Sequence, residues 1–292
     1  MPTVAHVPTE LRGEVFRGSV AVRSGLITRR QLRGSTWRRL LQDVYVHRAV
    51  PVTHELRARA AVLLLPSAVI TGCSAGTLWG VPLAGPDDDV EVTLPPKSHM
   101  VRIHGLRARR AAIRGDEVGR RRGLPVTTPP TTALRLAAVL PRDAAVVAID
   151  QLIATGVVDL APIRALAAEA RGPGSARARK ACALADGLAE SPPETRLRLL
   201  IGRSPLPAPM AQYRVWHEGR VIARPDFAWP DRKVALEYDG LWHAEDGQFA
   251  TDRERLNLLR EAGWTVVLVT AADMYRPERL IIRIAQALGL PH

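Results

Sequence analysis

Between positions 224 and 244 the chain reads RPDFAWPDRKVALEYDGLWHA, two runs of alternating apolarity separated by Pro230-Asp231-Arg232-Lys233. No other stretch constrains the fold as tightly. Strand side chains alternate between faces, so Val234, Leu236 and Tyr238 share one face while Glu237 and Asp239 share the other. A turn centred between Asp231 and Arg232 pairs Trp229 with Val234 and, counting outward, Asp226 with Glu237. Directly opposed Cβ atoms stand about 5 Å apart. Three carboxylates on one face repel one another unless a cation or basic groups offset them. Hard oxygen ligands select Mg²⁺ or Mn²⁺, and such an ion polarises a phosphodiester. His243, four residues past Asp239, is placed to exchange a proton with water or a leaving oxygen. The bland alternative is a solvated strand end with Trp242 packed over the hairpin.

The flanking pattern gives the hairpin a context. Periodicity and turn residues predict a helix over 192–201, strands over 212–217, 221–228 and 234–238, a helix over 248–262, a strand over 264–269 and a helix over 277–288. That order is α-β-β-β-α-β-α. With "RPDFAWPDRKVALEYDGLWH" and then "DRERLNLLREAGWTVVLVT", residues 191–290 resemble the very-short-patch-repair (Vsr-like) branch of the PD-(D/E)XK nucleases. The resemblance implies a restriction-endonuclease-like core, with Asp226 and Glu237 on the metal and His243 moving the proton. Asp239 stands where a lysine is usual two positions after the glutamate, which shifts weight to His243. The resemblance also makes Asp252 an orienting group, Arg255 a phosphate holder and Glu194 an acidic residue near the metal. Local structure accounts for these as well: Asp252 and Arg255 fit a helix-surface pair, and Ser191-Pro192-Pro193-Glu194 is a capping-box sequence with prolines in the first turn.

The basic excess lies elsewhere. Residues 1–60 hold 11 Lys and Arg against 4 Asp and Glu and residues 97–124 hold 9 against 2, whereas residues 191–292 balance at 14 against 13. Such an excess suits a polyanionic partner, duplex DNA first, although a GC-rich coding bias also enriches arginine. Residues 20–48 read as a short helix, a turn at Gly25, a second helix opened by a Thr28/Gln31 capping box, and a hairpin turning near Gln42-Asp43. That is a winged-helix order, with Arg29, Arg30, Arg33, Arg38 and Arg39 as the DNA-contacting residues. The stretch from Leu40 to Tyr45 resembles the end of the AbiEi-like antitoxin winged helix, with Asp43 where a glycine is usual.

The expected architecture is α/β in the α+β, multi-domain sense: a winged helix (1–50), a middle mixed α/β region (51–170), a linker and basic helix (171–190) and the αβββαβα core (191–292). Within the middle region helices are expected over 54–65 and 133–140 and strands over 89–94 and 101–107. Two distant cysteines, Cys73 and Cys182, indicate neither a disulfide framework nor a zinc site. The longest apolar run is too short to span a bilayer, and the expected setting is cytoplasmic, without a membrane partner. The function expected is a Mg²⁺- or Mn²⁺-dependent DNA endonuclease delivered by the winged helix. A non-catalytic DNA-binding regulator, antitoxin-like, is the alternative, and an RNA-processing nuclease a third.

Overall fold

Hydroxyl caps fix where several helices begin. Thr28 and Gln31 form the reciprocal capping box, Thr53 Oγ1 accepts the Leu56 N–H at 3.1 Å, and Ser191 Oγ accepts the Glu194 N–H at 3.4 Å. The computed structural model describes residues 7–99, 102–239 and 248–291, with side chains from 255 onward in the last of these. The elements, in chain order, are β1 (Phe16–Arg17), α1 (Gly18–Arg23), α2 (Arg29–Leu32), β2 (Trp37–Leu41), β3 (Val44–His47), α3 (His54–Leu64), β4 (Val69–Ile70), α4 (Gly72–Leu78), β5 (Val90–Leu94), β6 (Leu106–Arg110), β7 (Val118–Arg121), β8 (Leu124–Thr127), α5 (Pro129–Val139), α6 (Arg142–Ala154), α7 (Leu160–Glu169) and α8 (Ser175–Leu184). There follow α9 (Pro192–Ile201), β9 (Met210–Ala211), β10 (Val215–His217), β11 (Arg220–Ala223), β12 (Phe227–Trp229), β13 (Val234–Asp239), α10 (Gln248–Glu261), β14 (Thr265–Thr270), α11 (Ala271–Met274) and α12 (Pro277–Ala287). This is mixed α and β structure in two compact units, the first of Met1–Leu140 with Thr155–Cys182, the second of Pro141–Ala154 with Ala183–His292.

In the first unit a 3₁₀ turn at Thr9–Leu11, β1, the two short helices and the β2–β3 hairpin follow the winged-helix order, and the three strands form a sheet in the order β1-β3-β2. The second helix, α2, is a single turn between the Thr28 cap and Gly34, and β2 begins at Trp37. Asp43 takes the left-handed conformation usual for glycine (φ 60), and its carboxylate accepts the Ser19 N–H at 2.7 Å and the Ser19 hydroxyl at 2.6 Å. Burial works upward on this carboxyl, but the bonds from Ser19 and Arg17 hold it below its ordinary range. Gly18 is required here, because a Cβ would stand 2.6 Å from the Tyr45 ring.

Packing continues across position 50. Leu40, Leu41, Val44 and Val46 share one core with Leu56, Ile70, Val92 and Val126, so the hairpin and the middle region form one body. That body is built on a five-stranded mixed sheet, β6-β5-β4-β8-β7. The strand expected over 101–107 lies later, at Leu106–Arg110, after Gly105 with φ 85. The basic helix α8 is no linker: it buries Ala178, Ala181 and Cys182.

In the second unit the sheet order is β14-β13-β12-β9. The hairpin register is the one its sequence dictates, Phe227 opposite Leu236 and Trp229 opposite Val234, and β13 runs parallel to β14 from Val234↔Thr265 to Asp239↔Thr270. Of the strands expected over 212–217 and 221–228, the first begins only at Val215, after an unexpected short β9, and the second is divided. Gln212, left-handed at φ 52, separates β9 from β10, and Pro225, which has no N–H to give a ladder, lies between β11 and β12. The β10–β11 pair becomes a separate two-stranded sheet turning at Glu218-Gly219. On one face of the main sheet Leu236 and Val269 pack with Leu197, Ile201, Leu280 and Ile284. A second cluster joins Val215, Ala223 and Leu259 of α10.

The helix α6, expected to belong to the middle region, packs in the second unit instead. Its Asp150 is 0% exposed and accepts from the Asp186 and Gly187 N–H groups (3.2 and 3.0 Å), the Thr195 hydroxyl (3.0 Å) and Arg198 Nη2 (2.7 Å). Burial pushes this carboxyl up, against the pull of Arg198.

Candidate active site

The break at Pro225 has a chemical result. Asp226 falls at the bend before β12 rather than in the ladder, and its Oδ2 accepts the Tyr238 backbone N–H at 2.8 Å. The side chain therefore points across the hairpin to β13, where Glu237 is 7% exposed. Burial pushes the Asp226 carboxyl up to about 6, the Tyr238 N–H opposes this, and the charges of Glu194 and Glu237 push it further. Arg255, on α10, donates from Nη2 to Glu237 Oε2 at 2.9 Å and pulls the Asp226 carboxyl downward.

Glu194 enters from α9 and is also 7% exposed. Only half of the expected capping box forms. Ser191 caps the Glu194 N–H, but Glu194 Oε2 accepts the Glu190 N–H at 2.9 Å, one residue before the cap. Gln212 ties this glutamate to Asp226: its side-chain Nε2 donates to Glu194 Oε2 at 3.3 Å, and its backbone N–H donates to the Asp226 carbonyl at 2.9 Å. Gln212 owes this position to its left-handed backbone, which no local sequence signal announces.

Glu194, Asp226, Glu237 and Arg255 thus come together from four elements. Asp239 stands exposed at the end of β13, opposite Thr270. His243 lies outside the described residues, as does the side chain of Asp252. Among the described residues no three His, Cys, Asp or Glu side chains form a ready metal cage; Glu237 is turned to Arg255 and Asp226 to Tyr238. In the first unit Arg29, Arg30 and Arg33 are exposed on and just after α2, and Arg38 and Arg39 are exposed on β2.

No protein-family model matches the chain. Two proteins of Mycobacterium tuberculosis, "Uncharacterized protein MT2308" of strain CDC 1551 / Oshkosh and "Uncharacterized protein Rv2248" of strain ATCC 25618 / H37Rv, are each 37% identical to it over 177 residues. The match covers 60% of this chain and 65% of the length of each relative. Among solved structures, the RV2827C protein from Mycobacterium tuberculosis is similar over 70% of this chain and 84% of its own, with 16% identity and a TM-score of 0.41.

Proposed function

We propose that the chain is a metal-dependent DNA endonuclease, cytoplasmic, which hydrolyses or nicks a phosphodiester. The observation that supports this reading is the nearness of the half-buried to buried carboxylates Glu194, Asp226 and Glu237, with Asp226 raised to about 6 by burial and by its two acidic neighbours. Carboxylates that disfavour one another are the mark of a site built for a cation. The chemistry of the donors suits Mg²⁺ or Mn²⁺, because all three side chains offer hard oxygen atoms, and Glu237 would have to turn from Arg255 to bind one. Asp226 and Glu237 would hold the ion, with Glu194 beside them, and the ion would supply polarisation of the phosphodiester and a more acidic water. Arg255 keeps Glu237 in place until then and afterwards offers its guanidinium to a phosphate oxygen. His243 moves the proton, in keeping with the resemblance of this region to Vsr-like nucleases. The winged helix contacts the duplex through Arg29, Arg30, Arg33, Arg38 and Arg39.

One observation favours the other reading, a non-catalytic DNA-binding regulator: Arg255 already neutralises Glu237 at 2.9 Å, as a site without a metal requires. Incubation with supercoiled, single-stranded and branched DNA and with RNA, in Mg²⁺, Mn²⁺ or EDTA, separates the two. The nuclease reading expects metal-dependent product from at least one DNA substrate. Duplex binding without cleavage in any metal identifies the regulator.

A further inference from the structure

The chain's positive excess belongs to the first unit alone, which carries 26 Lys and Arg against 12 Asp and Glu, while the second carries 15 against 17. The wing arginines account for only part of it. On the first unit a groove of about 570 Å³, with no residue of the wing in its lining, is lined by Arg109 of β6, Arg135 of α5, and Arg171 and Arg177 around the start of α8. A single carboxylate, Glu117, also lines it, and one of its oxygens already accepts the Arg114 backbone N–H at 3.0 Å. Among the described residues none of these four arginines enters an ion pair; the pairs of the first unit are made by Arg17, Arg59, Arg107, Arg114 and Arg122.

Two of the four are anchored by neutral acceptors. Arg109 Nε donates to Thr93 Oγ1 at 2.9 Å, and Arg171 Nη1 donates to the carbonyls of Ala168 and Ala170 at 2.9 and 3.1 Å. Each guanidinium has five N–H donors, so most remain for a ligand on the groove side. Leu134, Ala138 and Val139, the last 69% exposed, form an apolar wall between the charges. Four arginines lining one groove repel one another, and the single carboxylate Glu117 offsets only part of their charge. An anion offsets the rest.

We infer that this groove holds the phosphodiester backbone of DNA, as a second contact surface apart from the wing. The charge comes from three parts of the fold rather than one point, which suits a run of phosphates, and guanidinium forks match phosphate oxygens while the apolar wall suits the sugar faces. The inference rests on DNA being the partner, as proposed above, and not on cleavage.

The test is binding of a labelled duplex in EDTA across a salt series, by the full chain and by Arg135→Ser/Arg177→Ser. Neither side chain makes a hydrogen bond or ion pair within the described structure, so the double variant should melt with the parent. Its affinity should fall about tenfold or more, and the log–log salt slope should become shallower by about 1.8, the value for two lost phosphate contacts. Arg135→Lys/Arg177→Lys keeps both charges and should keep most of the slope. An unchanged affinity and slope in the serine variant overturns the groove while leaving the nuclease reading intact. A serine variant that loses adenosine monophosphate binding yet binds duplex like the parent also overturns it, by making the occupant a small phosphate. A parent that binds no duplex defeats both, and a parent that binds but never cuts defeats only the cleavage.

Discussion

Asp226 is the residue on which the chemistry and the stability of the second unit pull in opposite directions. Its carboxyl is raised from 3.8 to about 6, so between those pH values the native state holds more protons than the unfolded chain. The contribution of Asp226 to stability therefore falls as pH rises from 4 through 6 and levels off above, a loss of at most about 3 kcal/mol. Asp226→Asn removes that charge and can still accept the Tyr238 N–H. The variant should melt several degrees above the parent at pH 7.5 and with it at pH 4, in paired thermal scans. Equal melting temperatures at pH 7.5 would contradict the burial-driven shift. The hairpin register from Phe227↔Leu236 to Trp229↔Val234 was legible because strand alternation and the turn at Asp231-Arg232 determine it, whereas the bend that takes Asp226 out of the ladder was not. The nearness of Glu194 came only through family resemblance, and Gln212 and the Tyr238 N–H were not legible at all, since both depend on backbone bends rather than on side-chain pattern.

At the scale of elements, α6 is the piece that periodicity placed in the wrong neighbourhood. An apolar stripe says that a helix is buried, not against what; the partner is chosen by Asp150, whose four donors all come from Asp186, Gly187, Thr195 and Arg198. Asp150→Ala leaves those donors and a half-paired Arg198 behind, and should destabilise the second unit by about 3–5 kcal/mol, the usual loss when one partner of a buried pair is removed. Denaturant unfolding followed for that unit checks it, and a loss below about 1 kcal/mol would make the contact incidental. The helix α2 is the opposite case: its capping box at Thr28 and its end near Gly34 were both readable, and they leave one turn of about 6 Å. So short a helix cannot lie along a groove, and under the proposed function Arg29, Arg30 and Arg33 would act on phosphates with Arg38 and Arg39. Their triple alanine variant should weaken duplexes of different sequence equally and flatten the salt dependence. A selective loss for one sequence would show base reading instead.

For the whole molecule, charge is segregated: the first unit is basic and the second nearly neutral. Composition revealed that segregation directly, because counting charges needs no fold. The extent of the units was hidden, since the chain leaves the first unit for α6 and returns before entering the second for good. A fragment starting at 191 lacks Asp150, Asp186 and Gly187, and a fragment ending at 50 divides a continuous core. Among the described residues no helix is long and apolar enough to cross a membrane. The most direct measurement of the central claim is nicking of supercoiled DNA by the full chain and by Asp226→Asn, side by side in Mg²⁺ and Mn²⁺ with melting curves for both proteins. The account predicts metal-dependent nicking by the parent and background rates from a variant that is at least as stable. Parent protein inert in both metals, or Asp226→Asn nicking as fast as the parent, would contradict it.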